Sequence, residues 1–277
     1  MLLGAVAVWL LGWFVNTRLA ALPLRGLARL LPPLVFGVTL LLIWELVVRG
    51  LNVSPVLLPA PSAVWGRLVG SLPTLRADVT QTFVKGALSG YAIGCGAAIL
   101  TGIAVDRMPF LRRGLLPVGN LVSALPIIGM APIMVMWFGF HWESKAAVVV
   151  LMVFFPMLVN TVQGLAATEP MQADLMRTYA ASYWQTLFTL RLPAAAPFIF
   201  NGLKICTTRA LIGAIVAEFF GSPTVGMGFR ISTEVGRLAL DMVWAEIAVA
   251  ALVGSAFYGA VALVERAATF WHPSQRR

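Results

Sequence analysis

The sequence predicts an all-α membrane protein, a polytopic helical bundle, on three observations. Hydrophobic residues make up 60% of the 277, charged residues only 11%, and the mean hydropathy is +0.88; soluble domains carry about 25% charge. The apolar residues fall into runs of the length a helix needs to cross about 30 Å of hydrocarbon. One patterned polar stretch, residues 168–197, lies between two of those runs. The net charge of +9 is dispersed as single and paired basic residues between apolar runs. That pattern fits cytoplasmic loops and not a nucleic-acid-binding face. Cys95 and Cys206 lie inside apolar runs, which points to core packing, and His141 and His272 are too far apart in sequence to outline a metal site.

Residues 1–15 are apolar but short for a span, and lack the basic start and small-residue cleavage site of a signal peptide. They read as an extra N-terminal span or membrane-embedded helix, with a disordered leader as the alternative. Arg18, Arg25 and Arg29 follow, and residues 31–48 form a clear span with Glu45 near its far end. Residues 50–80 carry Pro55, Pro59, Pro61 and Pro73, and a short helix over 62–72 presents Val64, Trp65 and Leu68, as expected of a helix on the outer surface. The span over 83–105 contains Gly86, Gly90 and Gly94 at four-residue spacing, which permits close helix contact, and packing within the subunit is preferred to a dimer seam.

A basic turn at Asp106-Arg107 and Arg112-Arg113 precedes residues 115–138, where Pro117, Pro126 and Pro132 accompany Asn120, Ser123 and Met130. So many prolines imply a bent or broken span, either lining a pathway or merely kinked in its packing. Residues 146–165 then return to the polar stretch. There, Thr168-Glu169-Pro170 starts a helix that runs to about Tyr179. Ser182 and Gln185 have capping-box spacing and start a second helix carrying Tyr183, Trp184, Leu187 and Phe188, which Pro193 is expected to end. The result is a helix-turn-helix elbow with an aromatic tip.

Residues 198–220 go back out with Arg209 and Glu218. Arg209 near mid-membrane reads as a pathway or gate residue, or as a structural ion pair or snorkelling side chain. An outer segment over 221–241 contains Gly226, Gly228 and a polar helix around 232–240, and residues 243–264 form the last span. The inner segments then hold twelve of the twenty Lys and Arg residues, a positive-inside bias that puts the C-terminus in the cytoplasm.

The central stretch resembles the cytoplasmic EAA loop of permease subunits in binding-protein-dependent ABC importers. That pattern is Glu-Ala-Ala, three residues, Gly, nine residues, Ile-x-Leu-Pro. Here Asp174 stands at the Glu position, Leu175 and Met176 at the two Ala positions, Ala180 at the Gly, Leu190 at the Ile, and Leu192-Pro193 match outright. Arg177-Thr178, Ala181-Ser182 and Gln185 look like the usual surroundings. From about Trp44 onward the chain is similar to the nitrate, sulfonate, taurine and thiamine-precursor branch. The matching stretches are residues 58–64, Ala131-Pro132 with Trp137-Phe138-Gly139, Phe154-Phe155-Pro156 with Asn160-Thr161, and Ala217-Glu218-Phe219.

The resemblance implies a type I ABC importer permease fold of about six core spans over residues 31–277, with residues 1–30 outside it. It also implies a permease dimer, most simply a homodimer, two cytoplasmic ABC ATPase subunits and a periplasmic substrate-binding protein, in a bacterial inner membrane. The ATPase-coupling residues it marks are Asp174, Arg177, Ala180, Ala181, Ser182, Tyr183, Trp184, Gln185, Phe188, Leu190, Leu192 and Pro193. Pathway candidates are Asn120, Ser123, Pro126, Met130, Arg209 and Glu218. Lys85, Lys145 and Lys204 follow Val84, Ser144 and Leu203, so none has the glycine that precedes the lysine of a phosphate-cradling loop. The chain is therefore expected to be no enzyme, to hold no cofactor, and to leave ATP to a partner. Related permeases pass small anions or pyrimidines and other heterocycles. An ion-gradient-driven secondary transporter is the alternative; it would show inverted repeats and mid-span carboxylates, whereas Glu45 and Glu218 lie near span ends. A membrane enzyme would need acids, histidines or a nucleophile and base clustered at one depth.

Overall fold

The computed structural model describes residues 1–23, 26–108, 110–111, 113–115, 126–221 and 224–271. Asn120, Ser123, Pro117, Arg25, Arg112, His272, Arg276 and Arg277 lie outside the described residues. Six helices among the described residues are long and apolar enough to cross a membrane: Leu2–Ala20, Ala28–Gly50, Leu72–Arg107, Trp142–Ala166, Tyr183–Glu218 and Leu240–Ala268. The chain is a multi-pass membrane protein. It divides into two compact units, Met1–Thr74 with Ile231–Ile247, and Leu75–Arg230 with Ala248–Arg277.

In the first unit, α1 (Leu2–Ala20) packs on α2 (Leu31–Gly50). Their contact is close because Gly12 faces Thr39: a Cβ at Gly12 would collide with Thr39 Cγ2. The helix α3 (Pro61–Gly70) follows Ala60, which has no side chain to cap it. Glu45 supplies the missing acceptor, taking hydrogen bonds from the Ser62 amide at 3.0 Å and the Ser62 hydroxyl at 2.8 Å. A carboxylate at a helix N-terminus also complements the dipole. Arg49 pairs with Glu45 at 2.5 Å, and the Trp44 and Trp244 rings pack with centroids 4.9 Å apart.

The second unit is built on three long helices: α4 (Leu72–Arg107), α6 (Trp142–Ala166) and α8 (Tyr183–Glu218), with α5 (Ile127–Phe138) before α6 and α7 (Pro170–Thr178) before α8. Its core combines Ala87, Tyr91, Cys95 and Ala98 of α4, Val149, Val153, Met157 and Leu158 of α6, and Cys206, Ala210 and Ala214 of α8. Both cysteines are buried and unbridged. The α4 glycines serve contact inside the chain: a Cβ on Gly90 would lie 2.6 Å from the Ala146 carbonyl oxygen, and one on Gly94 2.5 Å from Val153 Cγ2. Tyr91 and Phe83 meet the Phe257 ring of α10 (Leu240–Ala268) edge-on at 4.9 and 5.3 Å.

Several element boundaries differ from the sequence expectation. The helix α4 begins at Leu72, inside the segment expected to lie outside, and passes through a π-helical turn at Thr80–Leu88. Pro73 did not prevent this, because a proline in the first turn lacks only an amide with no helical partner, and buried Leu75 and Asp78 hold the turn in the core. Of residues 115–138, the described helix α5 covers 12, with Pro132 inside it and too few residues for a full span. The helix α9 (Met227–Gly236), in the segment expected to lie outside, starts earlier than residue 232.

Its early start has a cause in buried side chains that satisfy first-turn amides. Asp78 accepts from the Gly226 amide at 2.7 Å, Thr82 Oγ1 from the Met227 amide at 2.7 Å, and Glu218 from the Gly228 amide at 2.8 Å. Thr82 donates its own proton to the Glu218 carboxylate at 2.8–2.9 Å, and Arg230 pairs with Asp78 at 2.9 Å. Asp78 and Thr82 are fully buried and Glu218 is 2% exposed, so every lost partner leaves an unsatisfied group in a dry site. Thr82→Val, nearly isosteric, is expected to destabilise the protein by about 1–3 kcal/mol, while Thr82→Ser retains most stability. Thermal unfolding of the detergent-purified protein checks this; equal midpoints for the Val and Ser variants would contradict it.

Candidate functional site

The polar stretch between α6 and α8 folds into a defined elbow. Glu169 caps α7 in extended conformation and Pro170 takes the first helical position. The helix ends in a Schellman motif: the Ala180 amide donates to the Arg177 carbonyl at 2.9 Å and the Ala181 amide to the Met176 carbonyl at 3.0 Å. This geometry puts Ala180 in the left-handed region at φ +52°. Ala180 stands where the EAA pattern has glycine, and the turn does require a left-handed residue there.

Ser182 then caps α8 with a complete capping box. The Ser182 amide donates to Gln185 Oε1 at 2.7 Å, and the Gln185 amide to Ser182 Oγ at 3.3 Å. After Tyr183–Thr186 the helix widens into a π-helical turn at Leu187–Arg191 and continues without a break to Glu218. The expectation that Pro193 ends this helix, with a separate span from residue 198, is therefore corrected. The Leu192 amide donates to the Leu187 carbonyl, five residues back, and Pro193 enters just after the widened turn, where the ladder is already re-phased.

Three contacts fix the elbow to the rest of the second unit. Asp106, at the end of α4, accepts from Arg191 Nη1 at 2.6 Å and from the Tyr183 hydroxyl at 3.2 Å. The Arg107 guanidinium lies over the Tyr183 ring at 5.3 Å and the Trp184 ring at 5.5 Å. Leu187 is fully buried against Leu165 and Ala195, with Ile103, Tyr183, Leu192 and Ile199 around them. The opposite face is open: Trp184 is 49% and Phe188 64% exposed, their rings stacked at 6.2 Å. Met171, Leu175 and Tyr179 of α7 are exposed too. Asp174 and Arg177 pair at 3.0 Å while both remain exposed, a pair that contributes about 0–1 kcal/mol to the helix. An exposed aromatic cluster with charges beside it has the composition of a docking surface.

The elbow thus gathers all twelve coupling candidates: Ala181, Leu190, Leu192 and Pro193 half-buried on its inner side, Ser182 and Gln185 as its cap. The pathway candidates are not gathered. Pro126 precedes α5 in extended conformation, and Met130 is half-buried against Ala131, Met134, Val148 and Ala217. Arg209 is exposed on α8, and Glu218 is locked in the α9 clamp. Sequence reasoning missed Asp106 and Arg107 as part of the elbow. Their only signal was charge at a turn, about eighty residues before their partners.

The fold and the elbow define a multi-pass helical membrane protein with one ordered polar segment between two spans, and similarity to known proteins supplies the family. Residues 90–270 match the family described as binding-protein-dependent transport system inner membrane component. The chain belongs to that family, the membrane-spanning permeases of ABC importers. It is 31% identical to the formylaminopyrimidine transport permease protein ThiX of Halalkalibacterium halodurans, over 88% of this chain and 97% of that one. It is 29% identical to the taurine transport system permease protein TauC of Escherichia coli, over 84% and 86%. The fold is also that of a solved chain from the MetNI methionine ABC transporter in inward-facing conformations, with a TM-score of 0.57 at 17% identity over 72% of this chain and 95% of that one.

Relief of the left-handed strain at residue 180 gives a direct check on the turn. Ala180→Gly is expected to stabilise the protein by up to about 1 kcal/mol, and Ala180→Val to destabilise it by more. Thermal unfolding midpoints in detergent measure both; a lower midpoint for the Gly variant would contradict the turn geometry.

Proposed function

We propose that the chain forms the substrate pathway as a dimer, most simply a homodimer, and is driven through the 168–197 elbow by two cytoplasmic ABC ATPase subunits. A periplasmic binding protein delivers the substrate, and the C-terminus faces the cytoplasm of the bacterial cell. The substrate is a small anion or a pyrimidine-like heterocycle, the two kinds that related permeases carry. ATP is bound by the partner, and this chain contributes no catalytic group of its own.

The observation that supports this reading best is the exposed Trp184–Phe188 stack on a helix whose other face is pinned by Asp106. Such a knob suits a groove in a soluble partner, with Asp174 and Arg177 at its rim. When the ATPase dimer closes on ATP, a rigid elbow passes the motion into α8, because the helix is continuous from Tyr183 to Glu218. Tilting that helix exchanges an inward-facing for an outward-facing packing, a rigid-body switch between two states.

Placing a charge in the proposed groove tests the docking. Trp184→Glu is expected to lower ATP-driven uptake at least tenfold in proteoliposomes holding the whole transporter, with the permease still inserted and folded. Uptake at the wild-type level would remove the elbow from the coupling path.

A further inference from the structure

Arg209, in the second half of α8, has no ion-pair partner among the described residues. Arg209 lies nine residues before Glu218 and 26 after Tyr183, about 14 Å and about 39 Å along the helix axis. Both distances exceed the reach of an arginine side chain, so it cannot bring its charge to either helix end. Five residues earlier on the same helix, Lys204 is neutralised by Glu265 at 2.7 Å. Arg209 has no counterpart of that kind. All eleven acidic residues of the chain are among the described residues, and none of them pairs with Arg209.

Its neighbourhood is equally unsuited to lipid. Asn201, Ile205, Thr208 and Ile212 recur at intervals of three and four residues and are all exposed, which makes one open stripe beside Arg209 on α8. Asn201 donates to Asn160 of α6 at 3.2 Å, and Asn160 donates in turn to the Pro156 carbonyl at 2.8 Å, so a second polar pair lies two turns inward of Arg209. Next to the stripe, a groove of about 480 Å³ is lined by Thr208, Ile212, Ser255 and Tyr258, among others. Hydrocarbon would leave the Arg209 guanidinium without a partner for its charge. Water and a passing solute satisfy it.

We infer that Arg209 and the Thr208 hydroxyl form an anion-binding station on the translocation pathway, which makes the transported substrate a small oxyanion such as a sulfonate, nitrate or bicarbonate. The inference rests on the permease reading and narrows it. A guanidinium presents two parallel N–H donors to a planar or tetrahedral oxyanion, and Thr208 adds a hydroxyl on the next residue. Ile205 and Ile212 lie one turn to either side of Arg209 and are exposed with it. The permease then contributes selection of its own, besides that of the binding protein.

Equilibrium dialysis of the purified permease–ATPase complex, without its binding protein, tests the station. The probes are labelled methanesulfonate, nitrate and bicarbonate, with dimethyl sulfone as a neutral isostere of the first. The expected result is saturable binding of at least one anion, weakened tenfold or more in Arg209→Gln and to a smaller extent in Arg209→Lys, which keeps the charge but loses the paired donors. Excess dimethyl sulfone is expected not to compete. Binding of none of the three anions overturns the station, as does wild-type affinity in Arg209→Gln. Competition by dimethyl sulfone on the unmodified complex overturns it without reliance on any variant. Failure of an ATPase to co-purify is a separate outcome, and it counts against the permease–ATPase reading itself.

Discussion

The carboxylate of Asp106 is the contact on which the elbow depends. It takes the Arg191 guanidinium at 2.6 Å and the Tyr183 hydroxyl at 3.2 Å, and its own side chain is only 13% exposed. A polar loop outside hydrocarbon has little apolar area with which to hold itself in place. Here one half-buried acid ties the start of α8 to the end of α4, and Leu187 adds a buried apolar peg beside it. Two hydrogen-bonded partners on one acid fix orientation as well as position, since charge-assisted bonds are short and directional. With the inner face so held, the aromatic outer face is presented as a rigid surface.

Continuity of α8 follows from a local irregularity. A proline at residue 193 ought to separate the short helix from the span, and an ideal α-helix would clash with its ring. The π-helical turn at Leu187–Arg191 removes the conflict by shifting the hydrogen-bond ladder one residue. Elbow and span are therefore one continuous helix of 36 residues. A second π-helical turn, at Thr80–Leu88 in α4, carries Thr82 into the network that holds α9. Both irregular turns thus lie where a long helix meets a polar anchor.

Much of this was legible in the sequence. Composition and run length announced a helical membrane protein, and Ser182 with Gln185 announced a helix start whose capping box is complete. The spacing of Gly90 and Gly94 pointed to a close helix contact, and α6 is the helix that uses it. Other features were not legible because they depend on tertiary partners. Pro73 and Pro193 read as breaks, yet each sits where its missing amide is not needed. Gly226 and Gly228 read as part of an outer segment ahead of its helix, but their amides are held by Asp78 and Glu218 from other helices. Asp106 was legible only as charge at a turn, since its partners lie 77 and 85 residues later. Arg209 was visible as an oddity, but its lack of a carboxylate partner emerged only with the ion pairs in view.

The central claim is that the aromatic tip of the elbow faces the cytoplasm. Its most direct test is labelling of Phe188→Cys with a membrane-impermeant maleimide in right-side-out and inverted membrane vesicles. Native Cys95 and Cys206 are buried and contribute little background. The account expects labelling in inverted vesicles, and its suppression when the ATPase subunit is bound. Labelling from the right-side-out face, or none from either, would contradict it.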